Sequence, residues 1–122
     1  MNTTALHDDF HITQQIDHTD LESIANRGFK TIINNRPDNE QAGQPLSANL
    51  EKEALRTGLK YHHIPIIPGR ATPADVEAFR KALEESQGPV LAFCKSGMRA
   101  KSMYTACRPN QSGFLSSLFR RK

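Results

Sequence analysis

The sequence has few of the residues that build disulfide scaffolds or membrane spans. Its 122 residues include no tryptophan and only two cysteines, and aromatic residues make up 7% of the chain. Cys94 and Cys107 are too few for a disulfide framework, so we expect free thiols and a cytoplasmic protein. No stretch approaches the roughly 18 apolar residues of a membrane span, and Met1–Ala5 lacks the character of a signal peptide. We therefore expect a protein that does not associate with membranes.

Acidic residues are absent from the last part of the chain. Residues 1–94 carry nine basic and thirteen acidic side chains, whereas residues 95–122 carry seven basic side chains and no acidic one. Such a concentration of positive charge can attract an anionic substrate, although the final Arg120–Lys122 is more simply a solvated basic end. No nucleic-acid-binding motif accompanies the charge and aromatics are few, so we expect no nucleic-acid partner.

Short apolar runs alternate with helical patterns along the chain and end at glycine or proline. This alternation predicts an α/β fold with a mostly parallel central sheet flanked by helices. We expect one domain over residues 9–108, with a flexible N-terminus at 1–8 and an atypical basic C-terminal tail at 109–122.

Functional residues of a parallel sheet belong at the carboxyl ends of its strands. Three segments meet that condition: Asn34–Asp38, Pro65–Arg70 and Cys94–Arg99. The third segment follows a short apolar run, Val90–Phe93, that predicts a buried strand. We therefore look for the chemistry first at the third segment.

A cysteine at a strand end, followed by a glycine-containing loop and a helix start, predicts an anion-binding site. The loop amides and the helix N-terminus favour a thiolate, which is the nucleophilic form of cysteine. Arg99 can then bind an oxyanion with two parallel hydrogen bonds. The competing interpretation is a buried core cysteine beside a solvated arginine. The predicted site consists of Cys94 and Arg99, with the anion-binding residues Lys95, Ser96, Gly97 and Met98.

The spacing of this loop is Cys-x4-Arg, one residue shorter than the Cys-x5-Arg loop of protein-tyrosine and dual-specificity phosphatases. Ala100 stands where the longer loop would place its arginine, and its methyl group cannot bind phosphate. Six-residue loops that begin with cysteine are typical of rhodanese-like sulfurtransferases. The loop is therefore compatible with both phosphatase and sulfurtransferase chemistry.

Three segments together resemble the phosphatase-like domain of the beta-lactamase hydrolase-like protein family. They are Thr31–Glu40, Gly58–Pro65 and Cys94–Arg99, in the right order and spacing over most of Phe10–Arg99. The resemblance implies a compact dual-specificity-phosphatase-like fold, with Cys94 as the nucleophile and residues 95–99 as the oxyanion site. It departs from the family at Ala100, where a serine is usual.

A phosphatase of this kind also needs an acid to protonate the leaving group. Dual-specificity phosphatases take it from a loop placed like 65–70, which here contains no acid. The candidate accessory residues are Arg36, Asp38, Asp75 and His63. Asp75 is more simply a helix cap, and Asp38 is equally a turn residue or a partner for Arg36. His63 is the last candidate, and a surface or core position is the simpler explanation for it. No metal-ligand spacing is present, and we expect neither metal nor cofactor.

Three functions remain open on the sequence alone. The first is a cysteine-dependent phosphatase-like hydrolase, and the second is a sulfurtransferase that carries a persulfide on Cys94. The third is an inactive anion-binding module. The expected partner is a small anionic substrate, either a phosphate ester or a sulfur donor.

Overall fold

Helices cover both faces of a five-stranded sheet in the computed structural model, which describes residues 1–107. Within these residues the elements are β1 Thr4–His7, β2 Phe10–Thr13, α1 Asp20–Asn26, β3 Thr31–Asn34, α2 Ser47–Arg56, β4 Lys60–His63, α3 Pro73–Glu85, β5 Val90–Phe93 and α4 Met98–Cys107. None of these four helices is long and apolar enough to cross a bilayer.

The strands lie in the order β1-β2-β5-β3-β4. β5 is central and pairs in parallel with β2 and with β3, and β4 pairs in parallel with β3. Only β1 runs antiparallel to its neighbour, β2. The predicted α/β fold with a mostly parallel, helix-flanked sheet is therefore confirmed.

The central strand β5 is apolar throughout because helices cover both of its faces. β5 is buried at every position, and its alternate residues face two different cores. On one face Leu91 and Phe93 pack with the buried side chains of α1 and α2. On the other, Val90 and Ala92 pack with those of α3 and α4. Both helical layers thus depend on one short strand.

The start of α3 shows how local sequence sets an element boundary. Thr72 accepts a hydrogen bond from the N–H of Asp75, and the Asp75 carboxylate accepts one from the N–H of Thr72. Pro73 occupies the first helical turn, where no N–H is needed. The capping role expected for Asp75 is therefore confirmed.

The chain start differs from the flexible N-terminus expected for residues 1–8. Residues Thr4–His7 form β1, with Thr4 opposite Ile12 and Ala5 opposite His11. The side chains of β1 are exposed apart from that of Leu6, which is partly buried, so the strand shows no alternating apolar pattern. Its pairing with β2 is made by the main chain. The domain boundaries at 9 and 108 stay predictions, and the tail at 109–122 lies outside the described residues.

Replacing Phe79 by alanine should destabilise the domain by about 3–5 kcal/mol, because its side chain is fully buried and lies edge-on to Phe10. The control is Leu55→Ala in α2, where the side chain is 57% exposed and the cost should stay within about 0.5 kcal/mol. Urea denaturation of both variants measures the difference. Equal losses would show that the core on the α3 side does not depend on Phe79.

Candidate active site

The carboxyl ends of the parallel strands bring several loops to one edge of the sheet. Main-chain hydrogen bonds join them: Asn35 donates to the carbonyl of Phe93, and Ile66 donates to the carbonyl of Asn35. Gln15, which follows β2, donates to the carbonyl of Lys95. The loops predicted at this edge therefore form one connected surface.

Cys94 lies at the centre of this edge, directly after β5, and is 1% exposed. The N–H of Gly97 donates to its Sγ atom at 3.1 Å, and the N–H of Met98 donates to the Ser96 hydroxyl. α4 begins at Met98, so the positive end of the helix lies at the loop. An amide N–H and the N-terminus of α4 therefore both lie beside this sulfur.

Gly97 fits its position because it has no side chain. Its φ is +98°, and a Cβ atom there would stand 3.3 Å from the carbonyl oxygen of Thr13. The end of β2 therefore leaves little room for a side chain at this position of the cysteine loop.

Arg99 is held by acceptors on two other loops. Its Nη1 donates to Glu40 Oε2 at 2.8 Å and to the carbonyl of Ile66 at 2.9 Å, and its Nη2 donates to Glu40 Oε1 at 3.0 Å. The pKa of Arg99 is raised, chiefly by the hydrogen bonds with Glu40 and also by the nearby Cys94 side chain. Its hydrogen bonds to Glu40 and Ile66 use three of its five N–H groups, and its side chain also interacts with Cys94.

Glu40 is the site residue that the sequence did not predict. It binds Arg99 and also accepts from Nε of Arg36 at 2.8 Å. These bonds, the one from Arg99 first, lower the pKa of Glu40 to about 2. The contact between Glu40 and Arg99 joins residues 59 positions apart, and no local pattern signals it.

The other candidate residues support the site without facing Cys94 as acids. Asp38 is not the partner of Arg36, since its Oδ1 accepts from the N–H of Ser47 at the start of α2. Asp75 caps α3, as described above. His63 Nε2 lies 2.8 Å from the carbonyl oxygen of Arg36, a contact that requires the ring proton on Nε2. We expected these residues near one edge of the sheet as candidates for the chemistry, but their side chains make the structural contacts just described.

A buried polar network holds the segment that carries Arg36. The Asn34 amide donates to the Tyr61 hydroxyl at 2.9 Å and accepts from the N–H of Arg36 at 2.8 Å. Tyr61 also contacts the Ser47 hydroxyl, and burial raises its pKa. Because each group is satisfied, this network favours a single conformation for the turn after β3.

Comparison with known proteins gives one family match. A profile described as the phosphatase-like domain of the beta-lactamase hydrolase-like protein matches residues 2–110. A curated protein of that name from Agrobacterium fabrum is 42% identical over 85 residues, which cover 70% of this chain and 20% of the relative. One from Xylella fastidiosa is 40% identical over 93 residues, with shares of 76% and 22%. The chain thus spans about a fifth of the length of these relatives.

Solved structures share the fold. The crystal structure of a proposed phosphatase from Neisseria meningitidis has a TM-score of 0.80 at 32% identity, and the match covers 96% of this chain and 83% of that one. TpbA of P. aeruginosa, crystallised with phosphotyrosine, has a TM-score of 0.64 at 15% identity, with shares of 88% and 62%. At that identity the second likeness shows the fold alone.

Replacing Glu40 by glutamine should lower the free energy of unfolding at neutral pH, and the loss should be smaller in acid. The pKa of Glu40 falls from an ordinary 4.5 to about 2 in the folded chain, so its stabilising effect is complete above about 4.5. That effect is lost as the pH falls from about 4.5 to about 2. Urea unfolding of the parent chain and of Glu40→Gln at several pH values measures the difference. Exposed Glu85→Gln serves as the control, and a pH-independent difference for Glu40→Gln would contradict the expectation.

Replacing Gly97 by alanine should displace the cysteine loop, because the added Cβ meets the Thr13 carbonyl and the backbone is left-handed there. We expect phosphate binding to weaken by about tenfold or more, since small misplacements of a site are costly. Gly58→Ala is the control: its φ is +88°, but nothing lies within 4 Å of the new Cβ. Titration of both variants with inorganic phosphate tests this, and equal affinities would rule out the steric argument.

Proposed function

Because this chain belongs to the phosphatase-like domain family of the beta-lactamase hydrolase-like proteins, we propose that it is a cysteine-dependent phosphatase-like hydrolase of small anionic substrates. Cys94 is the nucleophile, and the loop amides of residues 95–98 with Arg99 form the oxyanion site. The observation that carries this proposal is the Gly97 N–H bound to Cys94 Sγ beside a fixed Arg99. The cytoplasmic location and the absence of nucleic-acid partners stay predictions, as does the activity of any longer protein that contains this domain.

The proposed reaction has two displacements at phosphorus. The Cys94 thiolate attacks the phosphoryl group, a sulfur–phosphorus bond forms, and the bond to the leaving oxygen breaks. Water then attacks the phosphocysteine, releases inorganic phosphate and restores the thiol. The loop amides and the free donors of Arg99 are placed to stabilise charge on the non-bridging oxygens during both displacements.

Among residues 1–107, none of the candidate carboxylates is free to protonate the leaving oxygen. Asp38 and Asp75 accept main-chain hydrogen bonds, and Glu40 lies between two arginines that keep it ionised. Substrates whose leaving group is stable as an anion, such as aryl phosphates, therefore fit this site best. The phosphotyrosine bound to the structurally similar TpbA belongs to that class.

The occupied carboxylates also favour a second candidate, sulfur transfer. In this reaction the Cys94 thiolate attacks the outer sulfur of thiosulfate, the sulfur–sulfur bond breaks, and sulfite leaves with the bonding electrons. The resulting persulfide then gives its outer sulfur to an acceptor thiolate, and Cys94 is regenerated. No acid is needed because sulfite leaves as a stable anion, and the six-residue loop matches this chemistry.

Parallel assays distinguish the two reactions. We expect turnover of nitrophenyl phosphate, and alkyl phosphate hydrolysis should be barely detectable because it lacks the roughly 10²–10⁴-fold contribution of an acid. Intact-mass measurement after thiosulfate treatment tests for one added sulfur atom. Both signals should vanish in Cys94→Ser and persist in Cys107→Ser.

Each outcome has a distinct meaning. Nitrophenyl phosphate turnover without added sulfur supports the hydrolase, and added sulfur without turnover supports the transferase. If neither signal is observed, the remaining interpretation is an inactive anion-binding module. Fast alkyl phosphate hydrolysis that is lost in Asp38→Asn or Asp75→Asn would show that an acid does operate here.

A further inference from the structure

A polar cleft lies beside the cysteine loop. Residues that follow β2, residues of the loop after β3 and Lys95 line it. Lys95 directly follows Cys94 in the chain, and its carbonyl accepts the main-chain hydrogen bond from Gln15. The cleft therefore borders the cysteine loop at Lys95.

Several polar groups of the cleft are used to build it. Arg36 donates from Nε to Glu40, from Nη1 to Gln15 and from Nη2 to Gln41. The Gln15 amide donates to the carbonyl of Ile16. The Arg36 side chain is 4% exposed, and these three hydrogen bonds hold it in place at the side of the cleft.

The groups that remain open are hydrogen-bond donors. Lys95 is exposed, and no acidic side chain within residues 1–107 forms an ion pair with its ammonium group. Gln41 uses its oxygen to accept from Arg36, which leaves its NH₂ group for another acceptor. The residues that line the cleft include no aspartate or glutamate. Open donors and an unpaired positive charge fit a group that is anionic and rich in acceptors.

We propose that this cleft binds a second anionic group of the substrate, such as a carboxylate, while the reacting group lies at Cys94. The inference rests on the proposed function, since it needs the reacting anion at the cysteine loop. It narrows the substrate class to compounds that carry a carboxylate or a similar anion near the phosphoryl or sulfur group. Lys95 supplies the charge, and the Gln41 amide supplies a directed hydrogen bond.

Matched pairs of non-reacting phosphonates test this cleft. Each pair consists of an alkylphosphonate and the ω-carboxyalkylphosphonate of similar length, with chains of one to three methylene groups. Calorimetric titration gives the dissociation constant of each compound. For the chain length that spans the two sites, we expect the carboxylate to tighten binding by about tenfold or more. The ratio of the two dissociation constants within a pair removes any general effect that a variant has on phosphonate binding.

Two variants locate the effect. Lys95→Gln keeps the loop amide but removes the charge, and Gln41→Glu keeps the acceptor for Arg36 while it replaces the donor with a negative charge. Both should abolish the carboxylate advantage, whereas Lys101→Gln, an equal charge loss at an exposed position of α4, should retain it. Equal constants within every pair, or an advantage that survives both cleft variants, overturn the cleft proposal and leave the anion loop intact. If neither phosphonate of any pair binds, the anion loop and the cleft proposal both fail.

Discussion

The geometry of the site depends on one carboxylate shared by two arginines. Arg36 is almost fully buried, and a buried guanidinium without a partner would destabilise the fold by several kcal/mol. Glu40 compensates that charge through Oε1, and both of its carboxylate oxygens accept hydrogen bonds from Arg99. The loop after β3 and the start of α4 are therefore joined by an ion pair that neither segment could form alone. Under the proposed function, the N–H groups of Arg99 that Glu40 and the Ile66 carbonyl do not occupy bind the substrate anion.

The sequence predicted the features that local patterns encode. The short apolar run of β5, the capping role of Asp75 and the alternation of elements all depend on neighbours within a few residues. The same is true of the Cys94–Arg99 loop, whose residue types and spacing point to an anion site. These predictions are most specific where an element boundary carries its own glycine, proline or capping residue, as at the start of α3.

The features that the sequence did not predict depend on tertiary contacts. β1 has an exposed side-chain pattern, and only its pairing with β2 makes it a strand. Asp38 was a reasonable partner for Arg36 by proximity, but its carboxylate instead accepts the Ser47 N–H. Glu40 lies in a polar loop without periodicity, so its contact with a residue in α4 could not be read from spacing.

The contact of Gly97 with Thr13 has a consequence for how this scaffold can diverge. The cysteine loop is held at two points, by the Gln15 N–H on the Lys95 carbonyl and by Glu40 and Ile66 around Arg99. Between these points Gly97 approaches the end of β2 so closely that a Cβ atom there would stand 3.3 Å from the Thr13 carbonyl oxygen. A residue inserted into the loop would therefore disturb the approach at Gly97 or the position of Arg99. Loop length is thus coupled to the end of β2.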